Sequence, residues 1–479
     1  MALTTQVWLP FVSTTSEASN ETMATRITID PATRLEGHLK VQIQSDAGKV
    51  TSAQSGGLMF RGFENLLIGK DARDAAHITQ RICGVCPTSH AMASCLAMES
   101  LARLRVPDNA RIIRNLILGA DYLHSHVLHF YHLTLPSYIK GPQMPPWTPG
   151  YDVDLRFSDT ENRQLVDHYV QALAIRRLAH EIGAVFAGRM PHTAAYEFGG
   201  TTAVPTTNMI TRFRAGLQQI LSFIDNVYIP DVDLLGKKYP QYYSIGRGYG
   251  NLLAFGVFDL NADGTSKLLK RGRVANGSTS VQAIDLNAIR EDAKYSWYSD
   301  RPQGLNPSQG VTQPSADKAG AYSWLKAPRY AGAPYEVGAL ARMWINGDYR
   351  RGISVMDRHM ARAREASKIA RAMMDWLGQI KLAAPSFLQA LLPAAGTGIG
   401  LTEAPRGALG HWLKLNAGTV ASYQILTPTC WNCSPRDNAG VAGPLEMALV
   451  GTPVSDGTRP AEPLRVVHSY DPCLSCAVH

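Results

Sequence analysis

Two Cys-x-x-C pairs near opposite ends of the chain most constrain its fold. Cys83 and Cys86 lie in the segment Arg-Ile-Cys-Gly-Val-Cys-Pro-Thr-Ser-His, and Cys473 and Cys476 lie among the last nine residues of a 479-residue sequence. A pair with this spacing can direct two thiolates at one ion, so two pairs offer four sulfur donors. We therefore predict that the two ends of the chain meet in space around one buried metal centre.

The residues alone leave three uses of the four sulfurs open. A structural zinc staple, a redox-active metal and dithiol redox chemistry all use paired cysteines. Zinc ribbons usually draw both pairs from one short stretch of sequence, whereas these pairs are far apart along the chain. His90 and His479 each follow a pair closely, and a histidine beside a thiolate can tune its basicity through a hydrogen bond.

Composition excludes several classes of protein. Seven cysteines occur, six of them in three Cys-x-x-C pairs, and an odd number in so long a chain disfavours a disulfide framework. The net charge is +8, but Lys and Arg form no block, which disfavours nucleic-acid binding and indicates a basic surface facing a partner. No apolar run reaches the roughly 18 residues that a membrane span needs.

The N-terminus lacks the features of an export signal. The first 25 residues contain no Lys or Arg, and hence no twin-Arg pair. We therefore expect a cytoplasmic protein, with a periplasmic or membrane-associated position open only through a partner subunit. Residues 1–25 are predicted to be a flexible tail and 26–479 one domain, with a mixed, turn-rich lobe at about 230–330.

Periodicity predicts an α+β fold that is mainly helical. Residues 26–56 alternate polar and apolar, which is typical of two strands around a turn. Apolar residues recur at helical spacing over 111–135, and further long helices are predicted at 164–187 and 353–380. The expected architecture is a core of long bundled helices with small β-sheets at its periphery.

Four histidines fall within the first of these predicted helices. Their spacing could form a metal-binding face, but packed or hydrogen-bonded core histidines are the preferred interpretation. The four residues are His124, His126, His129 and His132.

Seven motifs, in the order in which they occur, resemble the large subunit of nickel–iron hydrogenases. The resemblance covers residues 26–479 and implies that family's fold. It rests on Arg34-Leu35-Glu36-Gly37-His38, Arg61-Gly62-Phe63-Glu64, the Arg81–His90 segment, Ser323-Trp324-Leu325-Lys326-Ala327-Pro328-Arg329-Tyr330, Glu336-Val337-Gly338, Ala404-Pro405-Arg406-Gly407 and the Asp471–His479 segment.

The resemblance implies a Ni-Fe(CN)2(CO) centre that cleaves H2 heterolytically into protons and electrons. Cys83 and Cys473 would be terminal ligands of nickel, and Cys86 and Cys476 would bridge nickel to iron. Cys473 would take the first proton and Glu36 would relay it; the alternative for Glu36 is an ion pair with Arg34 or His38.

Further residues take roles from the same resemblance. Arg406 would lie over the open metal position, hydrogen-bonded by Asp471, whose alternative use is to cap a turn. Pro405 and Thr429 would line the diatomic ligands, and His90 would support a thiolate. Glu64, the carbonyl of Ile425 and His479 would hold Mg²⁺ or another divalent ion.

Two positions depart from the family pattern. Ser125 stands where the family often has Asp, so any acid role there is lost or moved. Cys430 and Cys433 stand where Thr or Ser and a small residue are expected; oxidation near the metal is conceivable, but two buried small thiols are the preferred interpretation.

The implied partners are H2 and an iron–sulfur small subunit, because this chain has no further cysteines for clusters. A sequence ending at His479 resembles the hydrogen-sensing regulatory members, which favours a sensor with a sensor kinase or electron acceptor as partner. The alternative is an energy-conserving uptake hydrogenase. Two alternatives belong to other classes of protein. One is a zinc-stapled structural subunit, and the other is a quinone-reductase-like subunit of a respiratory complex; a subunit of the latter kind would lack the four cysteines.

Overall fold

The computed structural model describes residues 11–19, 22–144, 147–148 and 153–479. The helices within these residues are α1 (Phe63–Leu66), α2 (Ala75–Thr79), α3 (Pro87–Ala102), α4 (Asp108–Val127), α5 (Asp159–Ala187), α6 (Thr207–Phe223), α7 (Ile229–Lys238), α8 (Ala339–Asn346), α9 (Val355–Gln379), α10 (Pro428–Asn432), α11 (Pro444–Leu449), α12 (Ala461–Ser469) and α13 (Leu474–Ala477).

The strands are mostly short and antiparallel. They are β1 (Phe11–Ser19), β2 (Thr22–Ala32), β3 (Leu39–Asp46), β4 (Lys49–Gly57), β5 (Tyr196–Glu197), β6 (Gly200–Thr201), β7 (Leu252–Ala254), β8 (Val257–Asp259), β9 (Lys267–Leu269), β10 (Gly272–Val274), β11 (Ile289–Asp292), β12 (Ala327–Tyr330), β13 (Gly396–Ala404), β14 (Gly407–Asn416) and β15 (Thr419–Leu426).

Helix α4 forms the centre of the helical core. It packs against α5 and α9, and α6 packs against both of those helices. Every residue of α4 from 109 to 127 is buried, which is typical of a helix surrounded by other elements. The three predicted long helices correspond to α4, α5 and α9, with a π-helical turn at Leu128–Thr134 continuing the first. The predicted mainly helical α+β fold is confirmed.

Local sequence signals explain where the long helices begin and end. The Ser158 side chain accepts a hydrogen bond from the N–H of Glu161, and the Glu161 carboxylate accepts one from the N–H of Ser158. Helix α5 therefore starts with a capping box. Gly188, with φ 74°, ends it. Ser354 caps α9 by accepting from the N–H of Asp357 at 3.1 Å.

An antiparallel sheet in the order β1-β2-β3-β4 covers one side of the core. Residues of β3 alternate between buried and half-buried, as the period-two pattern predicted. The predicted N-terminal tail needs a correction, because Phe11–Ser19 form β1 and pair with β2 through backbone hydrogen bonds. The rest of that prediction falls partly on residues 1–10, 20 and 21, which lie outside the described residues.

A second sheet, β13-β14-β15, packs against α3 and fixes the position of that helix. Glycine permits the close approach: a Cβ on Gly398 would lie 2.0 Å from the carbonyl oxygen of Ala97, and one on Gly400 would lie 1.9 Å from that of Ala93. Pro405 and Arg406 occupy the tip of the hairpin between β13 and β14, since Ala404 pairs with Gly407.

Residues 230–330 contain most of α7 and the short strands β7 to β12, separated by turns. This content agrees with the expected mixed composition, whereas the treatment of 230–330 as a separate lobe stays a prediction. No described helix combines the length and the apolar character that crossing a lipid bilayer requires.

Candidate metal centre

The two cysteine pairs lie at turns that lead into helices. Cys83 is extended (φ −142°, ψ 139°) after a short 3-10 turn, and Cys86 directly precedes Pro87, the first residue of α3. Cys473 caps α13, which contains Cys476. Proline suits the first turn of a helix because the N–H that it lacks would have no partner there.

The four sulfurs converge as predicted. The Sγ atoms of Cys83 and Cys473 are 3.4 Å apart, those of Cys86 and Cys476 are 3.2 Å apart, and those of Cys473 and Cys476 are 3.1 Å apart. All four cysteines are free thiols and are at most 2% exposed. Among the described residues, this is the only group of three or more His, Cys, Asp or Glu whose ligand atoms all lie within 4.8 Å of one another.

Sulfurs packed this closely cannot all ionise without a cation. Hydrogen bonds from Cys473 and the other two cysteines hold the pKa of Cys83 well below its usual range, against the effect of burial. The hydrogen bond to Cys473 raises the pKa of Cys86, and burial raises that of Cys476. A soft divalent metal would remove this conflict, because it neutralises the thiolates and takes the place of their protons. The donor set therefore fits a thiolate-held metal.

A buried ion pair lies beside the sulfurs. Arg406 Nη2 and Nε are 3.0 Å and 3.1 Å from Asp471 Oδ1, and both side chains are at most 2% exposed. Burial would lower the pKa of Arg406, but Asp471 and three of the cysteines raise it well above its usual value. Arg406 Nη1 and Asp471 Oδ2 have no hydrogen-bond partner among the described residues. The site thus contains a fixed positive charge with one donor unused.

Arg342, on α8, holds the hairpin tip that carries Arg406. Its guanidinium donates to the carbonyls of Ala404 at 3.0 Å and Pro405 at 2.8 Å. It also forms a two-bond ion pair with Glu365, at 2.7 Å for each bond, and reaches Glu403 at 2.9 Å. All of its donors are used, so the tip is firmly anchored.

Thr429 and Glu36 contact the C-terminal segment from two other elements. The Thr429 hydroxyl accepts from the N–H of Cys473 at 3.0 Å, which leaves its own hydrogen available for donation. The carbonyl of Glu36 accepts from Leu474 N–H at 2.6 Å, and its carboxylate accepts from the Ser475 hydroxyl at 3.1 Å.

Gly37 permits this approach of the Glu36 loop to the C-terminal segment. Its φ is +83°, and a Cβ there would lie 2.7 Å from the Ser475 nitrogen. His38, one of the alternative partners predicted for Glu36, pairs with Asp30 at 2.7 Å.

The residues predicted to hold magnesium also come together. Glu64 Oε1 accepts from the N–H of Ile425 at 2.7 Å and lies 3.4 Å from His479 Nε2. Burial would raise the pKa of Glu64, but Lys326 and His479 lower it to about 2, so the carboxylate is anionic. Ile425 faces Glu64 through its N–H, and the use of its carbonyl as a ligand stays a prediction.

The histidines of the α4 segment are core residues, in agreement with the preferred interpretation. His126 Nε2 is 2.8 Å from Glu365 Oε2, and His129 Nε2 is 2.6 Å from the carbonyl of His468. His132 packs its ring against Tyr169. His90 places Nδ1 at 3.2 Å from His411 Nε2, and its support of a thiolate stays a prediction.

Cys430 and Cys433 are buried and lie outside the four-sulfur group. The Cys430 thiol contacts the carbonyl of Ala477 at 3.5 Å, and burial raises the pKa of Cys430 to about 12. Ser125 is buried with no partner for its hydroxyl among the described residues.

Sequence reasoning missed several residues near these sites. Lys326 lies 3.9 Å from Glu64 and 3.7 Å from Glu291, so two buried acids share one buried ammonium. Asp121, a carboxylate in the most buried helix, was also missed. The available signal was a lone acid within the apolar stretch Leu116–Leu123.

Comparison with known proteins places this arrangement in a family. A family model described as nickel-dependent hydrogenase matches residues 61–140 and 134–479, and a HoxL-like model matches residues 26–55. The chain is 41% identical to the periplasmic [NiFeSe] hydrogenase large subunit of Desulfomicrobium baculatum and 32% identical to the uptake hydrogenase large subunit of Rhizobium leguminosarum bv. viciae, with 95% of both chains covered in each case.

A solved structure is equally similar. The Ni-Fe-Se hydrogenase from D. vulgaris Hildenborough in the reduced state aligns with a TM-score of 0.93 at 42% identity, covering 95% of this chain and 100% of that chain. The fold and the four-cysteine cluster thus define a metal-dependent oxidoreductase rather than a zinc-stapled scaffold. The chain belongs to the nickel-dependent hydrogenase family, as a large subunit.

Proposed function

We propose that this chain is the large subunit of an uptake-type nickel–iron hydrogenase that oxidises H2. The observation that carries the proposal is the convergence of four buried cysteine sulfurs beside a charged, buried arginine with an unused donor. When bound, a nickel–iron centre with cyanide and carbon monoxide ligands would supply the redox chemistry that splits H2 into protons and electrons.

The cysteines divide by position into two pairs of sulfurs. Cys83 and Cys473 would bind nickel alone, and Cys86 and Cys476 would bridge it to iron. The two sulfurs of each pair are 3.4 Å and 3.2 Å apart, and the 3.1 Å contact between Cys473 and Cys476 joins the two pairs into one group. The relatives named [NiFeSe] are named for selenium as well, whereas this sequence has cysteine at all four positions, so sulfur would hold the metals here.

Arg406 and Thr429 would shape the pocket around the metals. A guanidinium that keeps its charge can polarise H2 or order the pocket, and its position is fixed by Asp471 and by the hairpin tip. The free hydrogen of the Thr429 hydroxyl would donate to a cyanide nitrogen. Pro405 would pack against the diatomic ligands.

Protons would leave through Cys473 and Glu36. The Cys473 thiolate would accept the first proton, and Glu36, whose backbone is paired with the C-terminal segment, would carry it outward. Glu64, His479 and the Ile425 carbonyl would hold a magnesium ion near the C-terminal segment, with the anionic Glu64 as its charged ligand.

Electrons would pass to an iron–sulfur small subunit. Cys95, Cys430 and Cys433, the remaining cysteines, are buried and form no further metal group among the described residues. The names of the compared relatives favour an uptake enzyme over the sensor expected from the sequence, so no sensor kinase is proposed. One relative is named periplasmic, which favours that compartment over the expected cytoplasm; cell fractionation would decide the location.

The function is tested by co-producing the chain with an iron–sulfur small subunit. We expect nickel and iron in nearly equal amounts, infrared bands of carbon monoxide and cyanide, and fast dye reduction under H2. Zinc alone, with no such bands, would overturn the proposal. Slow turnover together with H2-dependent binding of a kinase would restore the sensing role.

A further inference from the structure

Asp121 is a buried acid in the middle of α4. Its side chain, on α4, is fully buried, and neither carboxylate oxygen has a well-formed hydrogen bond among the described residues. The Thr88 hydroxyl is the donor beside it. An ionised, unpaired carboxylate in this position would lower the stability of the fold by several kcal/mol. Packing alone therefore does not explain the residue.

One side of Asp121 leads to the surface through two histidines. His124 Nε2 lies 3.4 Å from Asp121 Oδ1 and also 3.1 Å from the carbonyl of Val85. The ring of His124 meets the ring of His180 edge to face, with centroids 4.2 Å apart. His180, on α5, is only half-buried, and its enclosed Nε2 has no partner among the described residues.

Asp121 also interacts with the segment that carries the first cysteine pair. Val85, the contact of His124, lies between Cys83 and Cys86, and Thr88 follows the same pair. Cys83 and Arg406 are close enough to act electrostatically on Asp121. Ser125, one helical turn further along α4, carries an unpartnered hydroxyl on the same face.

We propose that Asp121, His124 and His180 form a second proton route between the metal centre and the surface of α5, separate from Glu36. This inference rests on the proposed H2 oxidation, since that reaction produces the protons. A carboxyl group binds a proton on one oxygen and releases it from the other, and a neutral imidazole does the same with its two nitrogens. No electron moves in these steps, and one proton entering releases one proton at the surface.

Burial sets the resting protonation states of the three groups. Burial raises the pKa of Asp121 to about 8, and Cys83 adds to this, while His180, Thr88 and Arg406 oppose it. Burial lowers the pKa of His124 to about 3 and that of His180 to about 4, so both rings are neutral at rest, and each holds an extra proton only while it passes one on. The titratable or charged groups around Asp121 are Cys83, Tyr122, His124, Arg176, His180, Tyr196 and Arg406.

The test uses the complete two-subunit enzyme and the variants D121N, D121E and H180Q. The matched control is H168Q, because His168 lies on the same helix and pairs with the buried Asp231 at 2.8 Å, three turns from His180. Infrared difference spectra across a pH range spanning 8 report the carboxylic-acid C=O band of Asp121 without any turnover. H2 uptake is measured over the same range, with nickel content as the check on assembly.

We expect D121N to remove one carboxylic-acid band and to slow H2 uptake ~100-fold, the lower end of the range for a lost proton-transfer group. D121E should restore most of the rate, H180Q should slow uptake and shift its pH profile, and H168Q should match the parent enzyme. If D121N loses nickel, the proton route is tested by H180Q instead. The His180 side chain is half-exposed, so replacing it should disturb the fold less than replacing Asp121.

Two results would overturn the route. One is an unchanged C=O region in D121N; the other is a parental rate and pH profile in nickel-replete H180Q. A parent enzyme that contains nickel and iron but takes up no H2 would instead contradict the proposed function, and the infrared titration of Asp121 would still be readable.

Discussion

Arg342→Met is the most informative change outside the cysteines. The guanidinium of Arg342 is fully buried and bonds two carboxylates and two backbone carbonyls. Methionine fills much of the same volume but leaves Glu365 and Glu403 facing each other without a cation. It also releases the hairpin tip that carries Pro405 and Arg406. The variant therefore tests whether this anchor holds the arginine beside the metals.

The expected loss of stability follows from these contacts. Breaking a buried ion pair by removing one partner costs about 3–5 kcal/mol, and each carbonyl that loses its donor adds about 1 kcal/mol. Part is recovered because Glu403, whose pKa burial raises to about 7, can take up a proton. We expect the free energy of unfolding to fall by about 5 kcal/mol, which is a fall in Tm of about 5 °C at the unfolding entropy of a chain this long.

Calorimetry and nickel content measure the effect. R342K should recover only part of the loss, because a lysine ammonium cannot form the same fork of bonds. The control is R177M, since Arg177 is 76% exposed and 3.3 Å from Glu181 on the same helix; its loss should stay below about 0.5 kcal/mol. A fully nickel-loaded R342M that melts within about 1 °C of the parent would refute the anchor.

The Arg342–Glu365 ion pair also determines how the stability of the fold changes in acid. Burial would raise the pKa of Glu365, but Arg342 and His126 lower it to about 2 from an ordinary 4.5. A lowered carboxylate pKa stabilises the fold above pH 4.5, and this contribution is lost as pH falls towards 2. At about 1.4 kcal/mol per pKa unit it amounts to about 3 kcal/mol. Acid unfolding followed by fluorescence should therefore begin at a higher pH in R342M, and coincident curves would contradict this.

Three further substitutions test the site itself. C473A should abolish nickel binding while C95A, a buried thiol outside the cluster, keeps the metals; equal nickel in both by elemental analysis would contradict the assignment. T429V, which keeps the side-chain shape but removes the hydroxyl, should shift a cyanide infrared band with nickel retained, and an unshifted spectrum would remove Thr429 from the pocket. G37A should lower Tm and nickel content, because its Cβ would lie 2.7 Å from Ser475 N at a positive φ; a parental Tm would show that the loop can move aside.

Much of the site can be predicted from the sequence, because metal-ligating residues are recognisable by their type and spacing. The cysteine pairs are identifiable from their spacing, and the family resemblance implies Glu64 with His479 and Arg406 with Asp471; each set does meet in space. Likewise, the alternation in β3 and the helical periodicity of α4 report which faces are buried. The burial of β3 and α4 depends on local pattern alone.

Other features depend on contacts between distant segments. No motif marks Arg342 as the anchor of the hairpin tip, because its partners Glu365, Glu403 and Pro405 come from α9, β13 and the turn after it. Strand β1 was predicted as a tail because its polar composition lacks a clear apolar face, and pairing with β2 overrides that weak signal. The contact of His90 Nδ1 with His411, which joins α3 to β14, is likewise marked by no motif.

The separation of 390 residues between Cys83 and Cys473 has a consequence for biogenesis. Closing a loop of that length costs about 5 kcal/mol in chain entropy, and the Glu36 loop and α3 must already be in place when the last segment arrives. A chain that lacks the last segment therefore offers only two of the four thiols, so the four-sulfur group is complete only after Cys473 and Cys476 have been synthesised and have folded back onto Cys83 and Cys86.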